Sequence, residues 1–301
     1  MTDRRSGLGS SDAPIIAGLS PWRTPVDLFL EKRGQGTPQE VTLPMRAGTA
    51  LEGLVIDAFC EETGMTVLDR QTRFVDPAWP VRWTTADGIT TDSALVEAKT
   101  ASSDEGWGEP GTDQIPAHYV AQVQHALACT ELLVAYVPVL IGVRELRIYQ
   151  VHRDDRIIAN LTEMERAFWD RVQSGEAPPL TTPRELRLVY PKDAGTSVVA
   201  DEEMIHACVT LSQEIAERKA CDQMVNLRKG LIQAYMVDAA NLVDPDGTLL
   251  ATWKTTKPVM KFDEAAFKRD NPDLWKQYRR AGPTQRRFLL KGATNGDSEE
   301  G

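Results

Sequence analysis

Residues 87–100 read DGITTDSALVEAKT: an acidic residue, a polar turn-forming middle, and an apolar run carrying Glu97 and Lys99 two positions apart. The short segments on either side of the polar middle are rich in Val, Thr and Leu, the pattern of two strands joined by a turn. Side chains alternate faces along a strand, so Glu97 and Lys99 project from one side, about 7 Å apart along the chain, and Ala98 from the other. A hairpin over residues 84–99 brings Asp87, on the partner strand, near Glu97. Two carboxylates then converge beside an ammonium, and hard divalent ions such as Mg²⁺ seek such oxygen clusters while keeping several waters.

That combination suits phosphodiester hydrolysis. The reaction needs a deprotonated water in line with the leaving oxygen and positive charge on the phosphate oxygens; a metal supplies both, and a neighbouring lysine orients or helps deprotonate the water. The same acid-spacer-base triplet recurs as Glu217-Arg218-Lys219, but there the periodicity is helical, and residues two apart on a helix do not share a face. Strand context separates the two.

Two flanking helices bear on the hairpin. In residues 46–64, Ala50, Leu51, Leu54, Val55, Ala58 and Phe59 form one stripe that Gly64 ends. Glu52 lies at the stripe's edge, where it reads by itself as a solvated flank. PAHYVAQVQHALACT (116–130) starts with Pro116 at a favoured first helical position. Tyr119 and Gln122, three apart, share a face from which phenol and amide can brace a phosphate or a metal-bound water, while Gln124 and His125 diverge.

Elsewhere, residues 12–34 read as two short helices around the turn SPWRTP (20–25). Residues 65–75, 81–90 and 94–100 read as strands, as do two segments of 132–153 that turn near Gly142, and residues 155–175 form an amphipathic helix. Helices, strands, helix, strands, helix gives an α/β core with a central mixed β-sheet flanked by helices. The Pro-rich stretch 176–197 marks a boundary, dividing a core domain at 1–190 from a helical and basic C-terminal extension at 191–301. In the extension, Met204, Cys208, Leu211, Ile215, Met224, Leu227, Leu231 and Ala234 outline a helix over 201–237 with the stripe of an interaction helix. A DPDG turn with a short strand pair, a helix in FDEAAFKRDNP and a disordered tail over ATNGDSEEG follow.

The 301 residues are 42% hydrophobic, enough for a substantial core. The net charge of −10 counts against a nucleic-acid partner, which normally leaves a basic footprint. Its distribution counts the other way: Lys254, Lys257, Lys261, Lys268, Arg269, Lys276, Arg279, Arg280, Arg286, Arg287 and Lys291 face only Asp263, Glu264, Asp270 and Asp273. The absence of a signal-like apolar segment or a spanning run predicts a cytoplasmic protein without a membrane partner. Cys60, Cys129, Cys208 and Cys221 form no C-x-x-C pair, which disfavours zinc or iron-sulfur ligation and reads as buried thiols. No GxxxxGK loop occurs, so no ATP-driven motor is expected.

GLGSSDAPIIAGLSPWRTPVDLFLEKRG (7–34), GTALE (48–52), ADGI (86–89), LVEAKT (95–100) and IPAHYVAQVQHAL (115–127) follow one another in the first 190 residues. In that order they resemble the lambda exonuclease and YqaJ-type viral recombinase family of the PD-(D/E)xK nuclease superfamily. The resemblance implies a restriction-endonuclease-like fold. It also implies Mg²⁺-dependent, ATP-independent digestion of the 5′-ended strand of linear double-stranded DNA, with Mn²⁺ able to substitute. The 3′ single strand left behind would pass to a phage single-strand annealing protein, in the cytoplasm of a bacterium hosting a phage or prophage.

Carried over by position, Asp87 and Glu97 ligate metal with the Ala98 carbonyl, Lys99 acts on the attacking water, and Glu52 and Gln122 complete the site. The Ser10–Asp12 turn holds the 5′-phosphate, with Ser11 and Arg4 in the family's serine and arginine positions, Arg5 as the alternative arginine, and Tyr119 beside the DNA. A toroidal homotrimer is implied as well. Similar extensions occur on some YqaJ-type phage proteins, but the resemblance gives residues 191–301 no role; their charge points to phosphates or a partner over 251–291. Two other readings stand beside this one: an endonuclease on the same fold, and a non-catalytic DNA-binding or scaffold protein with a solvated acidic cluster.

Overall fold

In the computed structural model, which describes residues 4–36, 41–260, 262–280, 282 and 286–291, the chain starts with 3-10 turns at Arg4–Ser6 and Ser10–Asp12 on either side of β1 (Leu8–Gly9). α1 (Ala13–Ile16), α2 (Pro25–Lys32) and α3 (Leu43–Thr63) follow. The sequence explains their ends. Thr24 and Asp27 form a reciprocal capping box at the start of α2, with Pro25 in its first turn. α3 stops at Gly64, whose left-handed φ of 72° a side chain would resist.

Six short strands come next: β2 (Val67–Leu68), β3 (Thr72–Val75), β4 (Arg82–Ala86), β5 (Gly88–Thr90), β6 (Leu95–Val96) and β7 (Lys99–Ala101). Then come α4 (Ala117–Thr130), β8 (Val134–Ile141), β9 (Glu145–His152), α5 (Asp155–Ser174) and α6 (Pro183–Val189). Two sheets result. In the smaller, β4 is central, parallel to β1 and antiparallel to β3. In the larger, β2, β5 and β6 are antiparallel neighbours, and β6 and β7 both run parallel to β8. Because β9 pairs antiparallel along the whole of β8, β6 and β7 must lie end to end on its other edge. This is the α/β architecture with a mixed sheet read from the sequence.

Strand alternation sorts the core. Leu95, Ala135, Val137 and Val139 pack with Val123, Ala126 and Leu127 of α4, whereas Val96 packs with Ile56 and Phe59 of α3, with Ala98 and Tyr136 against them. Each fully buried Leu, Ile or Phe contributes about 1.5–3 kcal/mol. Lys99 and Glu97 therefore belong to the α4 face and Ala98 to the α3 face.

Several sequence expectations are corrected. On α3, Leu54 is 55% exposed, and Ile56 takes its place in the core beside Val55 and Phe59. Pro116 caps α4 from outside rather than occupying its first turn. The Pro-rich boundary itself contains α6, which Pro183 starts. Cys129 is buried and Cys60 half-buried, but Cys208 and Cys221 are exposed.

The chain divides into two compact units, Met1–Val189 and Tyr190–Gly301. The second contains α7 (Glu202–Met236), β10 (Asn241–Val243), β11 (Leu249–Thr252), α8 (Glu264–Asp270) and α9 (Pro272–Tyr278). Asp244 and Gly247, at φ 84°, turn the β10–β11 hairpin. Asp201 caps α7 through the Met204 amide. Among the described residues, Met236 is the one buried position of α7, and Glu217, Arg218 and Lys219 are exposed on it. The tail at 293–301 and Lys261 lie outside the described residues.

Candidate active site

Asp87 occupies the bend where the chain leaves β4 in one sheet and enters β5 in the other. Gly88 makes the bend possible: a Cβ there would stand 2.3 Å from Val67 Cγ1 on β2. With that close approach, Gly88 pairs with Val96, and Asp87 Oδ2 accepts the Ala98 N–H at 2.9 Å.

The partner segment is shaped by Pro138. β6 and β7 keep one register against β8, with Val96 opposite Tyr136 and Lys99 opposite Val139, yet the ladder lapses at Glu97 and Ala98. The Glu97 N–H reaches the Tyr136 carbonyl at 3.0 Å. In a parallel ladder the amide that would answer the Glu97 carbonyl belongs to residue 138, and proline has none. The lapse therefore follows from one residue on the neighbouring strand.

Glu97 is only 3% exposed. Its Oε1 accepts from Lys99 Nζ and from Gln122 Nε2, each at 2.6 Å. Its Oε2 is buried and has no hydrogen-bond partner among the described residues. The Lys99 ammonium also lies 5.1 Å from the centre of the Tyr119 ring. Glu52 projects from α3 into the same cleft of about 270 Å³, which Asp87, Glu97, Ala98, Lys99 and Tyr119 line with it.

A residue missed by the sequence reading stands between two of the carboxylates. Gln71 Nε2 donates to Glu52 Oε1 at 2.5 Å and to Asp87 Oδ1 at 3.4 Å. Its left-handed backbone, at φ 56°, and that of Asp69, at φ 48°, turn β2 into β3 and aim the amide inward. No glycine in LDRQT marks that conformation.

Burial, the Glu97 charge and, to a smaller extent, Glu52 raise Asp87 to about 8 against the opposing pull of Lys99. Burial disfavours the Lys99 ammonium, but Glu97 and Asp87 outweigh it and hold the amine's pKa above its ordinary value. One ammonium thus fails to neutralise the cluster. Among the described residues no three His, Cys, Asp or Glu side chains close into a metal cage; Gln71 bridges Glu52 to Asp87, while Lys99 and Gln122 hold Glu97. The donor set nevertheless fits a hard cation that takes one or two carboxylates and keeps its waters: the unpartnered Glu97 Oε2 is an acceptor without a donor, in a cleft short of positive charge.

Arg4, Ser10 and Ser11 do not line this cleft. Arg4 Nη2 lies 3.4 Å from Ser11 Oγ and 3.2 Å from Asp12 Oδ1. Asp12, fully buried, also accepts from Lys32 Nζ at 2.6 Å and from the Gly9 N–H at 2.9 Å. Ser10 is buried. The turn packs against α4, the helix bearing Tyr119 and Gln122. Gln124 and His125 serve the fold: Gln124 bonds the His152 carbonyl and the Asp154 amide, and His125 bridges Glu165 to the Trp83 carbonyl.

The model of the YqaJ-like viral recombinase domain matches residues 1–132. Protein YqaJ of Bacillus subtilis (strain 168) is 30% identical over 306 residues, spanning 97% of this chain and 93% of that protein. Among solved structures, the alkaline exonuclease LHK-Exo from Laribacter hongkongensis is similar at 19% identity and a TM-score of 0.47, over 57% of this chain and 90% of that one. A phage-related exonuclease from Haemophilus somnus 129PT is similar at 13% identity and a TM-score of 0.46, over 57% of this chain and 96% of that one.

Proposed function

The chain belongs to the YqaJ-like viral recombinase family, and on that premise we propose that residues 1–190 form a metal-dependent 5′ to 3′ exonuclease acting on ends of linear double-stranded DNA. The observation that carries this reading is Glu97, pinned through one oxygen by Lys99 and Gln122 while the other stays buried and unpaired in a cleft shared with Asp87 and Glu52.

Asp87, Glu97, the Ala98 carbonyl and Glu52 would hold Mg²⁺, with Mn²⁺ able to replace it. The bound cation supplies positive charge to the phosphate oxygens and lowers the pKa of its water. Lys99 is kept as an ammonium by Glu97 and Asp87, which favours orienting the water and the phosphate over accepting a proton. Gln122 fixes the Glu97 carboxylate, and Tyr119 supports the Lys99 head. Arg4 and Ser11 hold the terminal 5′-phosphate, with Ser10 behind them. The 3′ strand would pass to a single-strand annealing protein in the cytoplasm of the bacterial host, and a toroidal homotrimer would keep the enzyme on its duplex. Residues 191–301 form a separate extension.

The test is release of nucleotides from end-labelled linear duplex, with 5′-phosphate and 5′-hydroxyl ends, beside closed circular DNA. Mg²⁺-dependent release from linear ends, fastest with the 5′-phosphate and about 10²–10³-fold slower in Lys99→Ala, is expected. Cutting of the circle would make the enzyme an endonuclease, and no metal-dependent release from either substrate would leave a binding protein.

A further inference from the structure

The turn SPWRTP has no part in the site described so far, yet its Trp22 is 71% exposed, an uncommon setting for so large a ring. The turn is pinned: the Trp22 and Arg23 amides both donate to Ser20 Oγ at 3.3 Å, and Thr24 caps α2 immediately afterwards. The indole stands perpendicular to the His118 imidazole, with centroids 5.2 Å apart. His118 lies 4.1 Å from the Tyr119 ring, and Tyr119 carries the Lys99 ammonium. A row of three rings therefore runs from the candidate active site out to solvent. In its middle, His118 Nε2 is buried without a partner among the described residues, where a polar atom is ordinarily hydrogen-bonded.

We propose that Trp22, backed by His118, is a platform for a nucleobase. An unstacked base at the DNA end lies on the open face of the indole, and its sugar and phosphate pass His118 and Tyr119 toward Lys99. Stacking on an aromatic face is tolerant of sequence, which suits an enzyme that must accept every nucleotide in turn. A protein partner fits less well, because Trp22 with the exposed Leu19 and Pro21 beside it makes three apolar residues, fewer than the contiguous patch that such docking uses. The platform rests on the exonuclease reading, since it takes the same DNA end.

The test measures binding by fluorescence anisotropy, using the full chain with Ca²⁺ replacing Mg²⁺ to suppress cleavage. Duplexes carry a single abasic nucleotide at the first, second or third position from the 5′ end, beside an unmodified control. Wild type should bind one of the abasic ends about tenfold more weakly than the control. Trp22→Ala should bind the control about tenfold more weakly and lose the distinction, and Trp22→Phe should recover most of both. Wild-type discrimination persisting in Trp22→Ala, or none in wild type at any position, overturns the platform while leaving the exonuclease reading intact. Failure of folded wild type to bind any DNA end removes both.

Discussion

Gln71 donates its amide to Glu52 at 2.5 Å from a left-handed backbone, and the same nitrogen lies 3.4 Å from Asp87. Between the Glu52 and Asp87 carboxyl groups, the amide nitrogen takes a position that an incoming cation would contest. Gln71→Ala is therefore expected to bind Mg²⁺ about fivefold more tightly in calorimetric titration of metal-free protein, the equivalent of roughly 1 kcal/mol for an exposed hydrogen bond to a charged group. Weaker binding would mean that Gln71 gathers the two ligands instead of competing for them.

Asp87 couples the site to pH. Its carboxyl is raised to about 8 by burial and by Glu97, so near neutrality the metal-free site keeps a proton that a cation must expel. Below about pH 8, apparent Mg²⁺ affinity should climb about tenfold per pH unit and then flatten. Calorimetry at pH 7 in buffers of different ionisation enthalpy should record release of about one proton. The folding consequence has the opposite sign: between about 3.8 and 8 the folded metal-free state binds more protons than the unfolded one, so stability falls as pH rises. Asp87→Asn, which can still accept the Ala98 N–H, should stabilise metal-free protein at pH 8–9 by about 1 kcal/mol and weaken Mg²⁺ binding. An unchanged melting temperature would count against the buried-charge account.

Much of this geometry was legible in the sequence, and the reasons are local. Alternation along a strand is independent of tertiary context, so the shared face of Glu97 and Lys99 follows from their spacing once the segment is read as a strand, and that of Tyr119 and Gln122 from helical spacing. The contribution of Glu52 cannot be read that way, because helical periodicity puts Leu54 in the stripe whereas Ile56 is the residue that is buried. The Gln71 bridge depends on two non-glycine residues in left-handed conformations, for which composition carries no mark. The interruption at Glu97 depends on Pro138, 41 residues away in sequence and on another strand. It becomes visible only once the parallel register is known.

A second buried cluster sets the alkaline limit of the fold. His125 Nε2 lies 3.0 Å from the Trp83 carbonyl and Nδ1 lies 2.7 Å from Glu165 Oε1, so both nitrogens donate when the ring is an imidazolium. Burial opposes that charge, but the Glu165 carboxylate, helped by Cys129, outweighs it and lifts the imidazole to about 10. Arg82 ties Glu165 to Asp76. A raised folded pKa contributes stability that is complete below the unfolded value near 6.5 and is lost as pH rises through about 10. Chemical denaturation from pH 6.5 to 10 should show a decline on the order of 2–4 kcal/mol. His125→Gln should be less stable at pH 7 and nearly flat across that interval; a wild-type decline retained in His125→Gln would assign it to other groups.

The extension yields the last prediction. Lys254, Lys257, Lys268, Lys276, Arg279, Arg280, Arg286, Arg287 and Lys291 are exposed, and Arg269 is held by an adjacent acid, Asp270 at 2.8 Å. Exposed cations on a chain of net charge −10 have little to contribute to folding, because exposed charges in water interact weakly. Against a phosphate backbone each contact releases counterions, and the slope of log K against log salt steepens by about 0.9 per phosphate neutralised. A chain ending at residue 250 should therefore bind duplex ends more weakly at low salt, with a slope shallower by several units, and the two proteins should converge in affinity as salt rises. Equal slopes would show that the basic segment serves something other than DNA, and an annealing protein retained by the full chain but lost by the shortened one would then be the partner it holds.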